Sequence, residues 1–122
     1  MKKSLLVLVG LGLSFNLFAA EFDLEAIMKE MKLAYRQASK ADTVEEMQKA
    51  VDRLDELVAK AKQGDYSPER DVVYQEGYQK LTVAFAEIDG LLAKGELEQA
   101  QDELDNIDAL KKEYHKKAKK IK

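Results

Sequence analysis

Apolar residues recur every three or four positions along most of the chain, which is the spacing of amphipathic α-helices packed in a bundle. Four such stripes follow one another, and no run of alternating apolar and polar residues indicates a β-strand. The first stripe, in a helix predicted over Phe22 to Lys40, consists of Leu24, Ile27, Met28, Met31, Tyr35 and Ala38. The second consists of Val44, Met47, Val51, Leu54, Val58 and Ala61. The pattern predicts an all-α protein.

Two further stripes complete the set. The third consists of Tyr74, Tyr78, Leu81, Phe85, Ile88 and Leu92. The fourth, in a helix predicted to begin at Glu96, consists of Leu97, Ala100, Leu104, Ile107, Leu110, Tyr114, Ala118 and Ile121. Gly77 lies inside the third helix, where it serves either close helix packing or space for a ligand, and the sequence alone favours packing.

Local signals mark where the helices begin and end. Thr43-Val44-Glu45-Glu46 is a capping box that starts the second helix, and Gly64 is a natural stop for it. Ser67 followed by Pro68 is typical of an N-cap and first helical position, and Lys94-Gly95 closes the third helix. Because all three connections are short, neighbouring helices should run antiparallel. The sequence therefore predicts an up-down-up-down four-helix bundle.

The N-terminal residues have the order of a cleavable secretory signal. Two lysines precede the apolar run Leu5 to Leu13, and the small residues Ala19-Ala20 follow shortly before the charged region. We place a signal peptide at 1–19 and one domain at 20–122, exported to a bacterial periplasm. The apolar run is shorter than the ~20 residues that span a bilayer, so we expect no membrane insertion after cleavage.

The amino-acid composition argues against several classes of function. The chain has no cysteine, so it has neither a disulfide nor a covalent Cys-x-x-Cys-His haem attachment. Its formal net charge is −3, which argues against nucleic-acid binding because that function favours a basic face. The basic run at 116–122 lies at a helix C-terminus, where the helix dipole favours cations. It is either a solvated tail or a docking surface for a partner.

Met28 and His115, the single histidine, are expected at the same end of the bundle. Each lies about six residues from the end of its helix, hence ~9 Å from that end at ~1.5 Å per residue. The first and last helices are neighbours, so a thioether and an imidazole could face one slot that opens at the bundle's end. Its expected walls are Leu57, Val58, Ala61, Val72, Tyr74 and Tyr78. Haem would suit such a slot, because iron with methionine and histidine ligands is a six-coordinate electron-transfer centre.

Spacing alone leaves other interpretations open. Methionine at helical spacing is commonly core filler, as Met31 and Met47 illustrate, and a histidine near a chain end can be a surface residue. Lys111 either extends its ammonium to water or pairs with a haem propionate, and Tyr114 is expected to be ordinary core. The alternative function is a haem-free periplasmic bundle that binds a peptide or protein, in an interaction or chaperone-like role.

No enzyme is predicted from the residues. A di-iron bundle would need two Glu-x-x-His elements, whereas this chain has one histidine with Lys112 three positions before it. No nucleophile–histidine–acid set is identifiable, and no Gly-rich phosphate loop is present.

Several segments, in their joint order and spacing, resemble the soluble cytochrome b562 family. Asp23 to Met28 is similar to the family's N-terminal segment that ends in the axial methionine, and Tyr114 to Lys117 to the segment that carries the axial histidine. Lys40-Ala41-Asp42 matches the first turn. Gly77-Tyr78 and Gly95 to Gln101 keep the family's spacing to the histidine. The similarity covers essentially the whole predicted mature chain.

The resemblance implies one non-covalent haem b bound between Met28 and His115, and electron transfer in the periplasm with a redox partner that the sequence does not identify. It places Tyr74 and Tyr78 where the family usually has phenylalanines near the haem, and Lys111 where the family has an arginine at the porphyrin edge. The connector between the second and third helices is shorter than in the family and lacks a paired proline. We expect a monomer.

Overall fold

A computed structural model describes residues 22–121, so the predicted signal peptide and its cleavage site lie outside the described residues. The helices are α1 (Leu24–Lys40), α2 (Val44–Lys62), α3 (Pro68–Ala93), α4 (Leu97–Asp102) and α5 (Leu104–Lys119). No strand is present in this part of the chain. Helices α4 and α5 together form the fourth member of an up-down-up-down four-helix bundle, and the predicted fold class is confirmed.

Side-chain caps define the starts of α1 and α2. The Asp23 carboxylate accepts the backbone N–H of Ala26 at 3.2 Å. At α2, the Thr43 hydroxyl oxygen accepts the N–H of Glu46 at 3.1 Å, as the predicted capping box requires. The Glu46 carboxylate accepts the N–H of Asp42 at 2.8 Å. In the usual capping box this carboxylate would accept the N–H of the N-cap residue, here Thr43. Helix α1 therefore begins two residues later than predicted, because Asp23 is its cap.

The two ends of α3 differ in how they are capped. Ser67 lies at the predicted N-cap position, but its hydroxyl makes no capping hydrogen bond. At the other end, Gly95 adopts a φ of 77°, which favours glycine. The N–H of Gly95 donates to Leu92 at 2.9 Å, and the N–H of Glu96 donates to Leu91 at 3.0 Å. This pair of bonds is a Schellman motif, and it closes α3 at the predicted place.

The fourth helix, predicted to begin at Glu96, begins at Leu97 with Glu96 as its N-cap, and the structure divides it at Glu103. The N–H of Asn106 bonds the carbonyl three residues back, on Glu103, at 3.1 Å, which tightens the chain locally. The Asn106 side chain also donates to the Glu103 carboxylate at 2.7 Å. The next carbonyl, on Leu104, accepts the hydroxyl of Tyr35 from α1 at 3.0 Å. The interruption therefore coincides with a contact between the first and last helices.

The buried core joins α2 and α3 with the inner faces of the other helices. Its largest fully buried side chains are Met47, Val51, Leu54, Leu57, Val58, Phe85, Ile88 and Leu104. The stripe of α1 is less completely covered, and four of its members are only half-buried: Leu24, Met28, Met31 and Tyr35. Among residues 22–121, no helix combines the length and apolar character needed to cross a bilayer.

Candidate functional site

Helices α1 and α5 are joined at one end and face each other across a cavity at the other. The Tyr35 hydroxyl on α1 donates to the Leu104 carbonyl at the start of α5, at 3.0 Å. Nearby, the Gln101 side chain donates to the carbonyls of Ala38 and Ala41, at 3.2 and 2.9 Å. Beyond these contacts, α1 packs on α2 and α3 packs on α5, whereas α1 and α5 do not pack closely. The cavity between them has a volume of about 830 Å³.

The cavity is apolar inside and charged at its rim. Its apolar lining comprises Leu24, Met28, Met31, Leu54, Leu81, Phe85, Ile107, Leu110 and Ala118. Its charged lining comprises Glu25, Lys29, Lys32, Arg70, Asp108, Lys111 and Lys119. The volume lies within the roughly 300–1,000 Å³ range of small-molecule and cofactor sites. Such a cavity suits a ligand with a large apolar body and anionic groups at one edge.

All five residues that the sequence assigned to the site line this cavity: Met28, Tyr74, Tyr78, Lys111 and His115. Met28 is half-buried on α1, and Tyr78 on α3 is buried. His115 and Lys111 are exposed on α5, so the imidazole lies at the rim of the cavity rather than in the core. The expectation that a thioether and an imidazole reach one cavity agrees with this arrangement, while their role as iron ligands stays a prediction.

The walls of the cavity differ from the prediction. Leu57, Val58 and Ala61 of α2 are buried in the core and do not line the cavity, to which α2 contributes only Leu54. The reason is that α2 packs between α1 and α3, so its stripe is covered by helices on both sides. Val72 is 69% exposed and lies outside the cavity as well. The site is therefore built by α1, α3 and α5, with Leu54 as the single lining residue from α2.

Three tyrosines cluster beside the cavity. The Tyr66 hydroxyl donates to the Ala61 carbonyl at 2.6 Å and lies 3.3 Å from the Tyr78 hydroxyl, so Tyr78 is the donor in that second bond. The Tyr66 and Tyr74 rings meet edge to face with centroids 4.6 Å apart. Burial raises the pKa of Tyr78, and the bond to Tyr66 raises it further. Burial also raises the pKa of Tyr66. Both hydroxyls therefore stay neutral and committed to this chain of bonds.

Arg70 is a cavity residue that sequence reasoning missed. It lies in the first turn of α3, where its position between Glu69 and Asp71 looks like an ordinary solvated surface. Its Nη1 lies 3.4 Å from the Tyr74 hydroxyl, and its Nη2 lies 3.3 Å from the Ile121 carbonyl. The i,i+4 spacing from Arg70 to Tyr74 was the one available signal, because residues four apart are neighbours on a helix.

The segment of α5 that carries His115 is held by the residue before it. Tyr114 is buried, and its ring lies 5.5 Å from the Lys80 ammonium and 4.5 Å from the Lys117 ammonium. Contacts of this kind attract a cation to the ring face. The Tyr114 hydroxyl is buried and has no hydrogen-bond partner among residues 22–121. Tyr114 thus acts as packed core, as expected from its place in the fourth stripe.

The fold and the cavity together define a class of protein, a four-helix bundle with an apolar cavity between α1, α3 and α5 that is also lined by charged side chains. The donor set fits a haem, because one thioether and one imidazole line the same cavity. Within residues 22–121, no group of three or more His, Cys, Asp or Glu could hold a metal ion by itself.

Comparison with protein families identifies the particular family. The family model described as Cytochrome b562 matches residues 23–119, and the chain therefore belongs to the cytochrome b562 family. Members of this family bind haem b and carry electrons, and they are not typically enzymes. Comparison with curated proteins gives no significant match.

Proposed function

We propose that this protein is a periplasmic electron carrier that binds one haem b non-covalently, with the Met28 sulfur and the His115 imidazole as axial ligands. The observation that carries the proposal is that these two side chains, from α1 and α5, line one cavity. The chain has no cysteine for covalent attachment, so the two ligands and the apolar walls would provide the binding.

The residues of the cavity have three proposed roles: apolar walls, iron ligands and a cation for a ligand carboxylate. Leu54, Phe85 and Ile107 form apolar walls that exclude water from the interior. When bound, haem supplies a one-electron Fe(III)/Fe(II) couple, and a methionine–histidine ligand pair raises its potential. If Met28 and His115 both held the iron, no open position would remain for oxygen, and the chemistry supplied would be electron transfer. The ammonium group of Lys111 is available at the rim to a ligand carboxylate.

Addition of haemin to the purified protein tests the proposal. We expect uptake of one haemin per chain, and sharp low-spin absorption bands on reduction. We also expect a melting temperature that rises with haemin concentration, because a ligand that binds only the folded state stabilises it. A folded helical protein whose melting temperature ignores haemin would contradict the proposal and favour the haem-free interaction module.

A second experiment tests the compartment. The full chain, with its N-terminal residues intact, is expressed in a Gram-negative bacterium, and the periplasm is released selectively. We expect the protein in the periplasmic fraction, with an N-terminus at Ala20. Retention in the cytoplasm with residues 1–19 still attached would contradict export.

A further inference from the structure

We propose that Arg70 and Tyr74 form a carboxylate-binding subsite at the edge of the cavity, and that this subsite takes one propionate of the haem. The inference rests on the proposed function, since it assigns residues to the anionic edge of the same ligand. The sequence pattern gives neither residue this role.

The guanidinium of Arg70 has more N–H donors than its two hydrogen bonds use. It is half-buried and always charged, and it carries five N–H donors in a planar fork. Its two hydrogen bonds go to neutral oxygens, on Tyr74 at 3.4 Å and on Ile121 at 3.3 Å, both beyond the usual range of about 2.7–3.2 Å. Among residues 22–121, no carboxylate forms an ion pair with Arg70. Asp71, its neighbour in sequence, instead accepts the Gln75 side chain at 3.2 Å.

The Tyr74 hydroxyl provides a second donor next to the first. It accepts a hydrogen bond from Arg70, and within residues 22–121 it donates its own proton to no group. The other two tyrosines of the cluster differ, because Tyr78 donates to Tyr66 and Tyr66 donates to Ala61. Tyr74 is therefore the one member of this cluster with an O–H available to a ligand. One N–H fork and one adjacent O–H match the two oxygens of a carboxylate.

The charged side chains that line the cavity favour an anion. Four lysines line it besides Arg70, at Lys29, Lys32, Lys111 and Lys119, against the two carboxylates of Glu25 and Asp108. Lys119 is exposed and ends in a compact ammonium on a flexible stem, so it contributes attraction with little geometric preference. The buried part of the cavity lining is apolar and includes Phe85 and Ile107. This polarity would orient the ligand with its acidic edge at Arg70.

Haemin and its dimethyl ester, in which both propionates are blocked, separate this subsite from the rest of the cavity. The affinity of each is measured for the unaltered protein, Arg70→Gln and Tyr74→Phe. The control is Arg36→Gln, which makes the same charge change at an exposed arginine on α1 outside this cavity. For haemin, we expect roughly a ten- to hundred-fold loss with Arg70→Gln, as for a hydrogen bond to a charged group, and roughly a ten-fold loss or less with Tyr74→Phe. The ester should bind all four proteins equally.

Two results would overturn the subsite. One is unchanged haemin affinity in Arg70→Gln, and the other is an equal loss for haemin and its ester, which would indicate a structural role. In either case, low-spin bands from the reduced, haemin-loaded Arg70→Gln protein would show that the haem site is intact. Only the assignment of the carboxylate subsite would then be contradicted. Absence of haemin binding to the unaltered protein would instead contradict the proposed function and the subsite together.

Discussion

A Cβ placed on Gly77 of α3 would lie 3.0 Å from Cγ and 3.1 Å from Cδ1 of Tyr114 on α5. The missing side chain lets the two helices approach until the tyrosine ring covers the glycine. Tyr114 directly precedes His115, so this contact fixes the part of α5 that carries the histidine. Of the two roles that the sequence leaves open for Gly77, this contact supports close helix packing, and Gly77 also lines the cavity.

The first prediction compares the two glycines inside α3. A Cβ on Gly90 would meet nothing within 4 Å, so Gly90→Ala should raise the free energy of unfolding by up to about 1 kcal/mol. Gly77→Ala makes the same gain in helix propensity but must displace the Tyr114 ring, and overpacking costs about 1–3 kcal/mol. We expect Gly77→Ala to be the less stable variant in urea unfolding. Equal stability of the two variants would contradict the packing role.

The second prediction compares two tyrosine hydroxyls. Tyr35→Phe removes the bond to the Leu104 carbonyl, which joins α1 to α5, and should cost about 0.5–1.5 kcal/mol of stability. Tyr114→Phe removes a buried hydroxyl that has no partner among residues 22–121, so it should leave stability unchanged or raise it. Both variants are measured by urea unfolding. A Tyr35→Phe variant as stable as Tyr114→Phe would show that the link between α1 and α5 contributes nothing.

The third prediction concerns pH. Partial burial raises the pKa of Asp55 above its ordinary 3.8, and the nearby Asp89 and Asp52 raise it further. A carboxyl with a raised pKa in the folded state binds its proton more tightly there than in the unfolded chain. Its contribution to stability is therefore present at low pH and is lost as pH rises above 3.8 through the folded-state value.

Asp55→Asn should consequently be more stable than the unaltered protein at neutral pH, by less than about 1 kcal/mol because the site is largely exposed. The advantage should shrink as the pH falls toward 3.8. Thermal unfolding between acid and neutral pH measures it, with Glu98→Gln on α4 as a control substitution. A difference between Asp55→Asn and the unaltered protein that does not change with pH would contradict the assignment.

Much of the fold follows from local physics in the sequence. The Thr43–Glu46 box and Gly95 act within a few residues of themselves, so their patterns predict the helix ends that the structure has. Met28 and His115 line one cavity, as helix rise and antiparallel topology predict. These features need no information about distant contacts.

The remaining features depend on contacts between distant parts of the chain. No glycine or proline in the sequence marks the interruption at Glu103. The interruption coincides with the hydrogen bond from Tyr35 to the Leu104 carbonyl, 69 residues away in the chain. The role of Arg70 likewise depends on the Ile121 carbonyl, which only the bundle brings near. Such positions are surface-like in sequence, so hydrophobic periodicity carries no signal for them.

We propose that Met28 and His115 both bind the haem iron, and single substitutions test this directly. Met31→Ala is the matched control, because Met31 is a half-buried methionine on the same helix and lines the same cavity. The absorption spectrum of each reduced, haemin-loaded protein is the measurement. Met28→Ala and His115→Ala should each lose the six-coordinate low-spin bands, whereas Met31→Ala should keep them. Low-spin bands that persist unchanged in both Met28→Ala and His115→Ala would contradict the claim.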